Sequence, residues 1–311
     1  MSNRKQQYAA FAASAPELPV FCQPWYLDAL TRTYGEWDVL LYQKGNGPVR
    51  GAFPFFVKSK FGLRYSVPPP LCKYVGPYVL PEYQNDRAVL RYFAAEFPRL
   101  DTAVVNFPVA TTDFLPFHWA GWRQTTRFTF YLDERAWRGI PHDLEKRTRN
   151  RLRRATEQLH VRSGVSLRAL YYFNEQVFQR QKSTTPFPFA HLQQLDAALH
   201  AREQRRIFGV YDADERLLGA LYLIWNARTS YVLISGTDPA FRHLNGNYVL
   251  QLEAMRYAFD TLHVHRHDLL GSMLPGVAAM HQKFGAEAHP YHLLTHHRHP
   301  LFRLRSVFAL G

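Results

Sequence analysis

Residues 236–252, GTDPAFRHLNGNYVLQL, carry the residue types of an anion-binding turn. Arg242 lies in the loop after an apolar strand, and a long helix opens with Asn245, Gly246 and Asn247. Free backbone N–H groups at a helix N-terminus, entered through a glycine-containing turn, suit a pyrophosphate group. The same letters also fit an ordinary helix with an asparagine cap. The segment therefore predicts phosphate binding by Arg242 and the amides of residues 245–247, with simple capping as the alternative.

Six basic residues crowd the predicted helix DLEKRTRNRLRRATEQL, at residues 143–159. They are Lys146, Arg147, Arg149, Arg151, Arg153 and Arg154. Repulsion among like charges this close opposes the helix, and bound phosphate would relieve it. A solvated helix face is the alternative, and the lack of interleaved aromatic residues weakens an RNA-binding interpretation. We take Arg147 and Arg151, on one flank of the apolar seam, as candidates for contact with an anionic substrate.

Three histidines alternate near the end of the chain, at His263, His265 and His267. On a strand they would project from one face, which invites a metal site. No nearby cysteine or carboxylate pattern completes a ligand set, so the sequence favours exposed edge-strand histidines and predicts no metal. No G-x-S-x-G elbow is present, which argues against a serine nucleophile.

Composition limits the class of protein. The chain has 311 residues, 47% of them hydrophobic, with a formal charge of +13 and a pI of about 9.8, which favours polyanionic partners such as phosphates, RNA or an anionic membrane face. Its two cysteines, Cys22 and Cys72, cannot form a disulfide framework or a CxxC zinc motif. The sequence has neither a secretory apolar segment nor ~18 uninterrupted apolar residues, so we expect a cytoplasmic protein without a transmembrane segment, for which peripheral membrane contact stays open.

The elements that position these residues predict an α/β fold with a mixed α+β sheet. Turn and periodicity signals place helices at residues 24–34, 85–97, 143–159, 171–182, 189–202 and 245–262, and strands at 36–43, 49–58, 101–108, 122–133 and 165–170, with three more within 205–238. The segments VLLYQKGNGPVRGAFPFFVK and FGVYDADERLLGALYLIW share one layout, in which a strand, a polar turn and a Gly-Ala pair follow each other. Two similar units in tandem, residues 1–140 and 141–311, are the economical interpretation.

Residues 267–291, HDLLGSMLPGVAAMHQKFGAEAHPY, are unusually rich in residues that end or bend elements. A strand closes with Asp268, a loop carries Gly271, Ser272 and a Pro-Gly pair, and a short helix ends at Phe284-Gly285 before Glu287 opens another strand. This order predicts a strand, a tight loop, a helix of about ten residues and a second strand.

This segment resembles the end of the catalytic module in FemAB-like acyltransferases, the branch of the GNAT superfamily built from two tandem GNAT-like units. Further segments are similar to the family in the same order: FCQPWYLDALTRTYG, GAFPFF, LCKYVGPYV, RTRNRLRRA and GALYLIWNARTSYVLISGTDPAFRHLNGN. The resemblance extends from about Phe21 to Tyr291. The residues at 242–247 are similar to the Arg/Gln-x-x-Gly-x-Gly/Ala turn that binds coenzyme A in GNAT enzymes, with Asn245 at the first glycine position.

The resemblance implies transfer of an acyl group to an amine, with an acyl-coenzyme A or an aminoacyl-tRNA as the donor. We expect an N-acyltransferase that uses acyl-coenzyme A, foremost acetyl-coenzyme A, and a small-molecule or precursor amine as acceptor. The alternatives are an aminoacyl-tRNA-dependent peptidyltransferase of cell-wall precursors and a non-catalytic protein that binds an anionic ligand. The acyl group, the acceptor and the oligomeric state stay open.

The resemblance also assigns candidate residues. The donor site comprises Arg242, Asn245, Gly246 and Asn247. His281 stands where peptidoglycan-bridge ligases carry a lysine, so we expect it to act as the base or to contact the acyl group, and Asp268 orients it or the amine, or else caps the following loop. The candidates for acceptor binding are Lys73, Tyr74, Arg147, Arg151 and Lys283.

Overall fold

The computed structural model describes residues 3–84, 86–271, 273–300 and 302, apart from the side chain of Arg32. The chain forms two compact units, one made of Met1–Arg127 with Pro290–Gly311 and the other of Phe128–His289. These units divide the chain elsewhere than at the predicted boundary between residues 140 and 141, and the domain assignment from the sequence stays a prediction.

Ten α-helices occur in the described residues: α1 Asn3–Ser14, α2 Pro24–Tyr34, α3 Arg87–Glu96, α4 Leu115–Trp119, α5 Glu134–Gly139, α6 Lys146–Gln158, α7 Leu167–Arg180, α8 Phe189–His200, α9 Gly246–Arg256 and α10 Pro275–Gln282. Twelve strands accompany them there: β1 Glu36–Gln43, β2 Val49–Lys60, β3 Leu63–Ser66, β4 Tyr78–Val79, β5 Thr102–Asn106, β6 Arg123–Asp133, β7 His160–Ser163, β8 Arg205–Tyr211, β9 Leu217–Trp225, β10 Thr229–Thr237, β11 Arg266–Asp268 and β12 Glu287–His297. The mixed α/β class predicted from the sequence is confirmed.

The first unit has the strand order β1-β2-β3-β5-β12, and β4 pairs with β2. All these pairs are antiparallel except β3 with β5. Its core is aromatic, with Phe53, Phe93, Phe107 and Phe117 fully buried, as expected for rings that remove a large apolar area from water. The sequence did not predict helix α1.

Both cysteines lie in the first unit, and both thiols are free and buried. Burial raises the pKa of the Cys22 thiol to about 12. Burial, with a further contribution from Cys22, raises the pKa of the Cys72 thiol well above its usual value. Both side chains therefore stay protonated at neutral pH and behave as small apolar groups.

The second unit has the strand order β6-β11-β10-β9-β8-β7. Strands β10 and β11 are parallel, and the other pairs are antiparallel. Helix α9 packs on this sheet, and Leu250 and Met255 of the helix join the same buried cluster as Leu221 of β9. The same cluster contains Leu152 and Ala155 of α6, so the apolar side predicted for this helix is buried against the sheet.

One predicted strand is wrong. Residues 165–170, VSLRAL, contain the start of α7, because the Ser166 hydroxyl accepts a hydrogen bond from the Ala169 amide at 3.2 Å and caps the helix. The strand before it is β7, His160–Ser163, and it pairs with β8. The apolar alternation in VSLRAL spans too few residues to outweigh a serine N-cap.

Candidate functional site

Strand β10 separates from its neighbour halfway along its length. It pairs with β9 throughout, with a bulge between Val232 and Ile234, but its register with β11 covers only Thr229 to Tyr231. A bulge bends a strand and increases its twist, so the second half of β10 diverges from the segment that follows β11. Within the described chain, Ser235 at the far end of β10 and Leu270 after β11 face a common cavity.

Helix α9 begins at that opening with an unusual residue. Asn245 precedes the helix in the left-handed region, with φ 61° and ψ 34°, and its side-chain amide donates to the His243 carbonyl at 2.8 Å. The Tyr248 amide donates to the Asn245 carbonyl at 2.9 Å. Among the described residues, Gly246 and Asn247 have no backbone acceptor for their amides, so the first turn of α9 presents two donors to a ligand.

A cleft of about 520 Å³, here called the central cleft, surrounds this helix start. Arg242, Asn245, Gly246, Asn247 and Tyr248 form one side of it, and Gly276, Val277, Met280 and Lys283 contribute from α10 and the residue after it. Its walls hold four cationic side chains, Arg151, Arg180, Arg242 and Lys283, and no described carboxylate. Cations and helix N-terminal amides together suit a phosphorylated ligand.

A second cleft of about 410 Å³, here called the basic cleft, follows the face of α6. Arg147, Arg151 and Arg154 line it with His243, and it shares Arg151 and Asn245 with the central cleft. The other two arginines of the helix do not line this cleft. Arg149 donates a hydrogen bond to the His142 carbonyl, and Arg153 forms an ion pair with Glu157. The cluster predicted from the sequence thus divides into arginines that line the cleft and arginines that serve the helix itself.

A third space of about 230 Å³, here called the inner cavity, shares six wall residues with the central cleft. The shared residues are Arg180, Gln181, Thr237, Asn247, Val277 and Met280. The inner cavity adds Ser235 and Gly236 of β10, Gln251 of α9 and His281 of α10. A ligand held at the α9 start can therefore extend one end toward His281.

His281 is 4% exposed and lines the inner cavity. Its ring packs edge-on against Phe130, with 5.4 Å between the ring centroids. Behind it lies His267, which is completely buried and whose Nδ1 is 2.8 Å from the Ser230 hydroxyl. Burial first, and His281 second, lower the pKa of His267 to about 3, so His267 is neutral at physiological pH.

Asp268 is buried beside this site. Its Oδ1 accepts hydrogen bonds from the Thr129 hydroxyl at 2.6 Å and from the Leu270 amide at 2.8 Å. These bonds give it the loop-capping role that the sequence left open. Ser272, the other polar residue of the predicted loop, lies outside the described residues. The catalytic roles assigned to His281 and Asp268 stay predictions.

Lys73 and Tyr74 belong to the first unit. The Lys73 ammonium lies 5.1 Å from the centroid of the Tyr291 ring, and its carbonyl accepts from the Asn106 side chain at 3.0 Å. Tyr74 is 2% exposed and packs edge-on against Phe21 and Tyr291. Their proposed role in acceptor binding stays a prediction.

The predicted row of alternating histidines is wrong. Of the three residues only His267 lies in a strand, because β11 begins at Arg266. His263 has a positive φ of 53°, and the exposed His265 contacts Arg228, with 2.8 Å between Nε2 and the guanidinium. Within residues 3–84, 86–271, 273–300 and 302, no group of three or more His, Cys, Asp or Glu side chains is arranged to hold a metal ion.

Several wall residues escaped the sequence reasoning. They are Arg180, Gln181, Thr237 and Gln251. The two at the end of α7 carry no local motif, since only the fold brings that helix end to β10. Gln251 left a weak signal, as a polar residue within the apolar run YVLQLEAM.

In the described part of the chain, no helix combines the length and apolar character that crossing a bilayer requires.

Residues 142–287 match the family described as acetyltransferase (GNAT) domain. A comparison with curated protein sequences gave no match. Among solved structures the chain is similar to FemX, with 15% identity, a TM-score of 0.69 and 98% of each chain covered. It is also similar to a tandem GNAT protein from the clavulanic acid biosynthesis pathway, with 12% identity, a TM-score of 0.56 and 94% of each chain covered. L-PGS from Bacillus licheniformis has 11% identity and a TM-score of 0.53, with 93% of this chain and 90% of that chain covered.

The family match and the fold define the class of protein. At these identities the structural likeness establishes the fold, which is that of tandem GNAT proteins, as the sequence predicted. Residues 142–287, which match the acetyltransferase (GNAT) domain family, contain all three clefts described above. The prediction of an acyltransferase of the GNAT superfamily is confirmed at this level.

Proposed function

We propose that this protein is an N-acyltransferase that takes an acyl group from acyl-coenzyme A, foremost acetyl-coenzyme A, and transfers it to an amine. One observation carries the proposal. The amides of Gly246 and Asn247 and four cationic side chains surround the central cleft, which continues into the inner cavity beside His281. A donor with a pyrophosphate at one end and a thioester at the other fits this arrangement, with its phosphates in the central cleft and its thioester in the inner cavity.

The donor phosphates are assigned to the start of α9. Arg242 binds them through its guanidinium, and Gly246 and Asn247 bind them through their amides, which act in the same direction as the helix dipole. Asn245 completes the donor site by fixing the turn, because its own amide donates to the Arg242 carbonyl at 3.2 Å. Arg151 and Lys283 add positive charge to the same cleft. No described carboxylate lines the cleft, so no repulsion opposes the phosphates there.

The chemical step is assigned to the inner cavity. The amine nitrogen attacks the thioester carbonyl, a C–N bond forms, the C–S bond breaks and coenzyme A leaves as the thiolate. His281 takes the proton that the amine loses, because an imidazole ordinarily titrates near neutrality and this one lines the cavity. Asp268 shapes the neighbouring loop, and through it the approach of the amine.

The acceptor is assigned by charge. Arg147, in the basic cleft, and Arg151, which the basic and central clefts share, favour an acceptor with an anionic group. Lys73 and Tyr74 are retained as acceptor contacts on the strength of the resemblance to FemAB-like enzymes. The free thiols of Cys22 and Cys72 fit a reducing compartment, so we place the enzyme in the cytoplasm, where acceptors at the membrane surface are also within reach.

A second candidate is transfer from an aminoacyl-tRNA to a cell-wall precursor. The basic cleft favours it, since three arginines beside the central cleft suit a polynucleotide backbone. The presence of a histidine at position 281, where the peptidoglycan-bridge ligases carry a lysine, is the reason for ranking it second.

Thermal unfolding with added ligands tests both candidates. A ligand that binds the folded protein raises its melting temperature, by an amount set by ligand concentration and affinity. Stabilisation by acetyl-coenzyme A and free coenzyme A supports the first candidate, and stabilisation by bulk tRNA alone supports the second. Arg242→Gln should remove the coenzyme A effect, while the matched variant Arg138→Gln, an exposed arginine paired with Glu134, should keep it. No shift with coenzyme A at millimolar concentration would contradict the first candidate.

A further inference from the structure

Gln251 is a buried polar residue whose amide oxygen is unsatisfied. The side chain lies in α9 and is 2% exposed. Among the described residues, its Oε1 has no hydrogen-bond partner. Leaving a buried amide oxygen unpaired costs on the order of 1–3 kcal/mol. An unpaired oxygen of this kind is therefore expected to accept a hydrogen bond from a bound ligand.

The position of Gln251 indicates where such a ligand group would bind. Asn247 and Gln251 lie four residues apart on α9, so their side chains share one face of the helix. Asn247 lines both the central cleft and the inner cavity, whereas Gln251 lines the inner cavity alone. The Asn247 side-chain oxygen already accepts from the Ser235 hydroxyl at 3.2 Å. Gln251 is therefore the amide of this helix face that is left for a group deeper in the cavity.

The rest of the inner cavity sets the charge of that group. No carboxylate of the described residues lines it, and Arg180 does. A cationic ammonium group, such as the one an aminoacyl group carries, would have no counter-charge there and would meet a guanidinium. A neutral hydroxyl or amide can donate to Gln251 and accept from its NH₂ group without a charge to compensate.

The volume limits the size of the group. The inner cavity measures about 230 Å³, less than half of the roughly 520 Å³ of the central cleft with which it shares six wall residues. Val232, Leu269 and Val277 supply apolar walls for a short carbon chain. Short acyl groups with one neutral polar substituent thus match both the size and the chemistry of the space.

We propose that Gln251 determines acyl-group specificity, and that it selects short acyl groups bearing a neutral hydroxyl or amide over plain alkyl acyl groups of the same length. The inference rests on the proposed function, since it needs the acyl end of a coenzyme A thioester in the inner cavity. A single hydrogen bond that pairs a buried oxygen corresponds to about a three- to tenfold preference in binding.

The test compares three ligands by titration calorimetry: free coenzyme A, butyryl-coenzyme A and 3-hydroxybutyryl-coenzyme A. The wild-type protein should bind the hydroxyacyl thioester about three- to tenfold more tightly than the butyryl thioester. Gln251→Leu should lose this preference, bind free coenzyme A as before and bind butyryl-coenzyme A at least as well. Gln193→Leu makes the same chemical change at an exposed position of α8 and should retain the wild-type pattern.

The outcomes separate this inference from the proposed function. Equal affinity of the wild-type protein for the two thioesters, or an unchanged preference in Gln251→Leu, would overturn the specificity role while leaving the acyltransferase intact. An equal loss of affinity for free coenzyme A and both thioesters in Gln251→Leu would place the contact on the body of the donor and also overturn it. Failure of every coenzyme A ligand to bind the wild-type protein would remove the proposed donor itself. If Gln251→Leu does not fold, Gln251→Met, of similar length and unbranched, carries the same comparison.

Discussion

Arg151 of α6 and Tyr248 of α9 are joined by two contacts. The Arg151 guanidinium donates a hydrogen bond to the Tyr248 hydroxyl at 3.0 Å, and its central carbon lies 5.4 Å from the centroid of the same ring. Tyr248 is 8% exposed and packs against Phe284, so the ring is a fixed support. The pair holds one cation at the junction of the central and basic clefts.

Replacing Arg151 should weaken donor binding even when the charge is kept. Arg151→Lys retains a cation but loses the planar group that bonds to the hydroxyl and lies over the ring. We expect the dissociation constant for coenzyme A to rise about tenfold, the equivalent of one charge-assisted hydrogen bond. Titration calorimetry measures it, with Arg138→Lys as the control on an exposed helix. An unchanged constant in Arg151→Lys would show that the fixed geometry is irrelevant to the donor.

Removing His281 should slow turnover more than it weakens binding. His281→Ala takes away the group assigned to accept the amine proton, and general base catalysis contributes about 10²–10⁴-fold. We expect kcat to fall by about that factor with little change in the Kd for coenzyme A, as measured by steady-state kinetics and titration calorimetry.

The control for that experiment is His200→Ala, which removes an exposed histidine at the end of α8. It should keep wild-type kinetics. A His281→Ala variant that turns over a proven substrate pair at the full rate would end the assignment of this residue as the base.

The backbone at Asn245 predicts an unequal response to two substitutions. With φ at 61°, an alanine there should destabilise the fold by about 1–2 kcal/mol, because a Cβ with no local hydrogen bond is disfavoured in the left-handed region. Asn245→Gly should be tolerated, since glycine enters this region freely. Urea unfolding of the two variants measures the difference, and equal stability would contradict the left-handed conformation.

His267 should make the protein less stable in mild acid. Its pKa is lowered to about 3 by burial and by His281, so the folded protein stays neutral at this site while the unfolded chain takes up a proton below pH ~6.5. The unfolded state then binds more protons, and the unfolding free energy falls as the pH falls. Between pH ~7 and pH ~5 this one residue accounts for about 2 kcal/mol.

The comparison with His267→Gln isolates that contribution. Burial also lowers the pKa of His289, His292 and His297, so the wild-type slope contains terms of the same sign from them. Denaturant unfolding at several pH values should therefore give a shallower slope for the variant than for the wild type. Parallel slopes would mean that His267 takes up its proton at the same pH in the folded protein as in the unfolded chain, so that burial does not lower its pKa.

Most of the fold could be predicted because the signals are local. The Asp86 cap of α3, the hairpin of β1 and β2 and the apolar strands β8 to β10 each depend on neighbouring residues. The errors occurred where a single cap or a tertiary contact decides. Ser166 caps the start of α7 where the sequence predicted a strand. His263 has a positive φ, which is incompatible with the strand expected for the three histidines.

The candidate site was predictable only where its residues belong to a recognisable sequence pattern. Arg242 and the α9 start were found because the helix N-terminus has a sequence pattern, and His281 because it departs from a family pattern. Gln251 and Arg180 have no such pattern. They line the cavity that lies beside the half of β10 that is not paired with β11. That cavity depends on the pairing of β10 with β11 over only three residues, which the sequence does not show.

The burial of Cys22 and Cys72 has a consequence for an enzyme that works with thioesters. Acyl groups exchange readily from one sulfur to another when the attacking thiol is ionised. With both thiols enclosed and the pKa of Cys22 at about 12, neither side chain can capture an acyl group from a bound donor. The two thiols of the protein therefore do not compete with an amine acceptor for the acyl group.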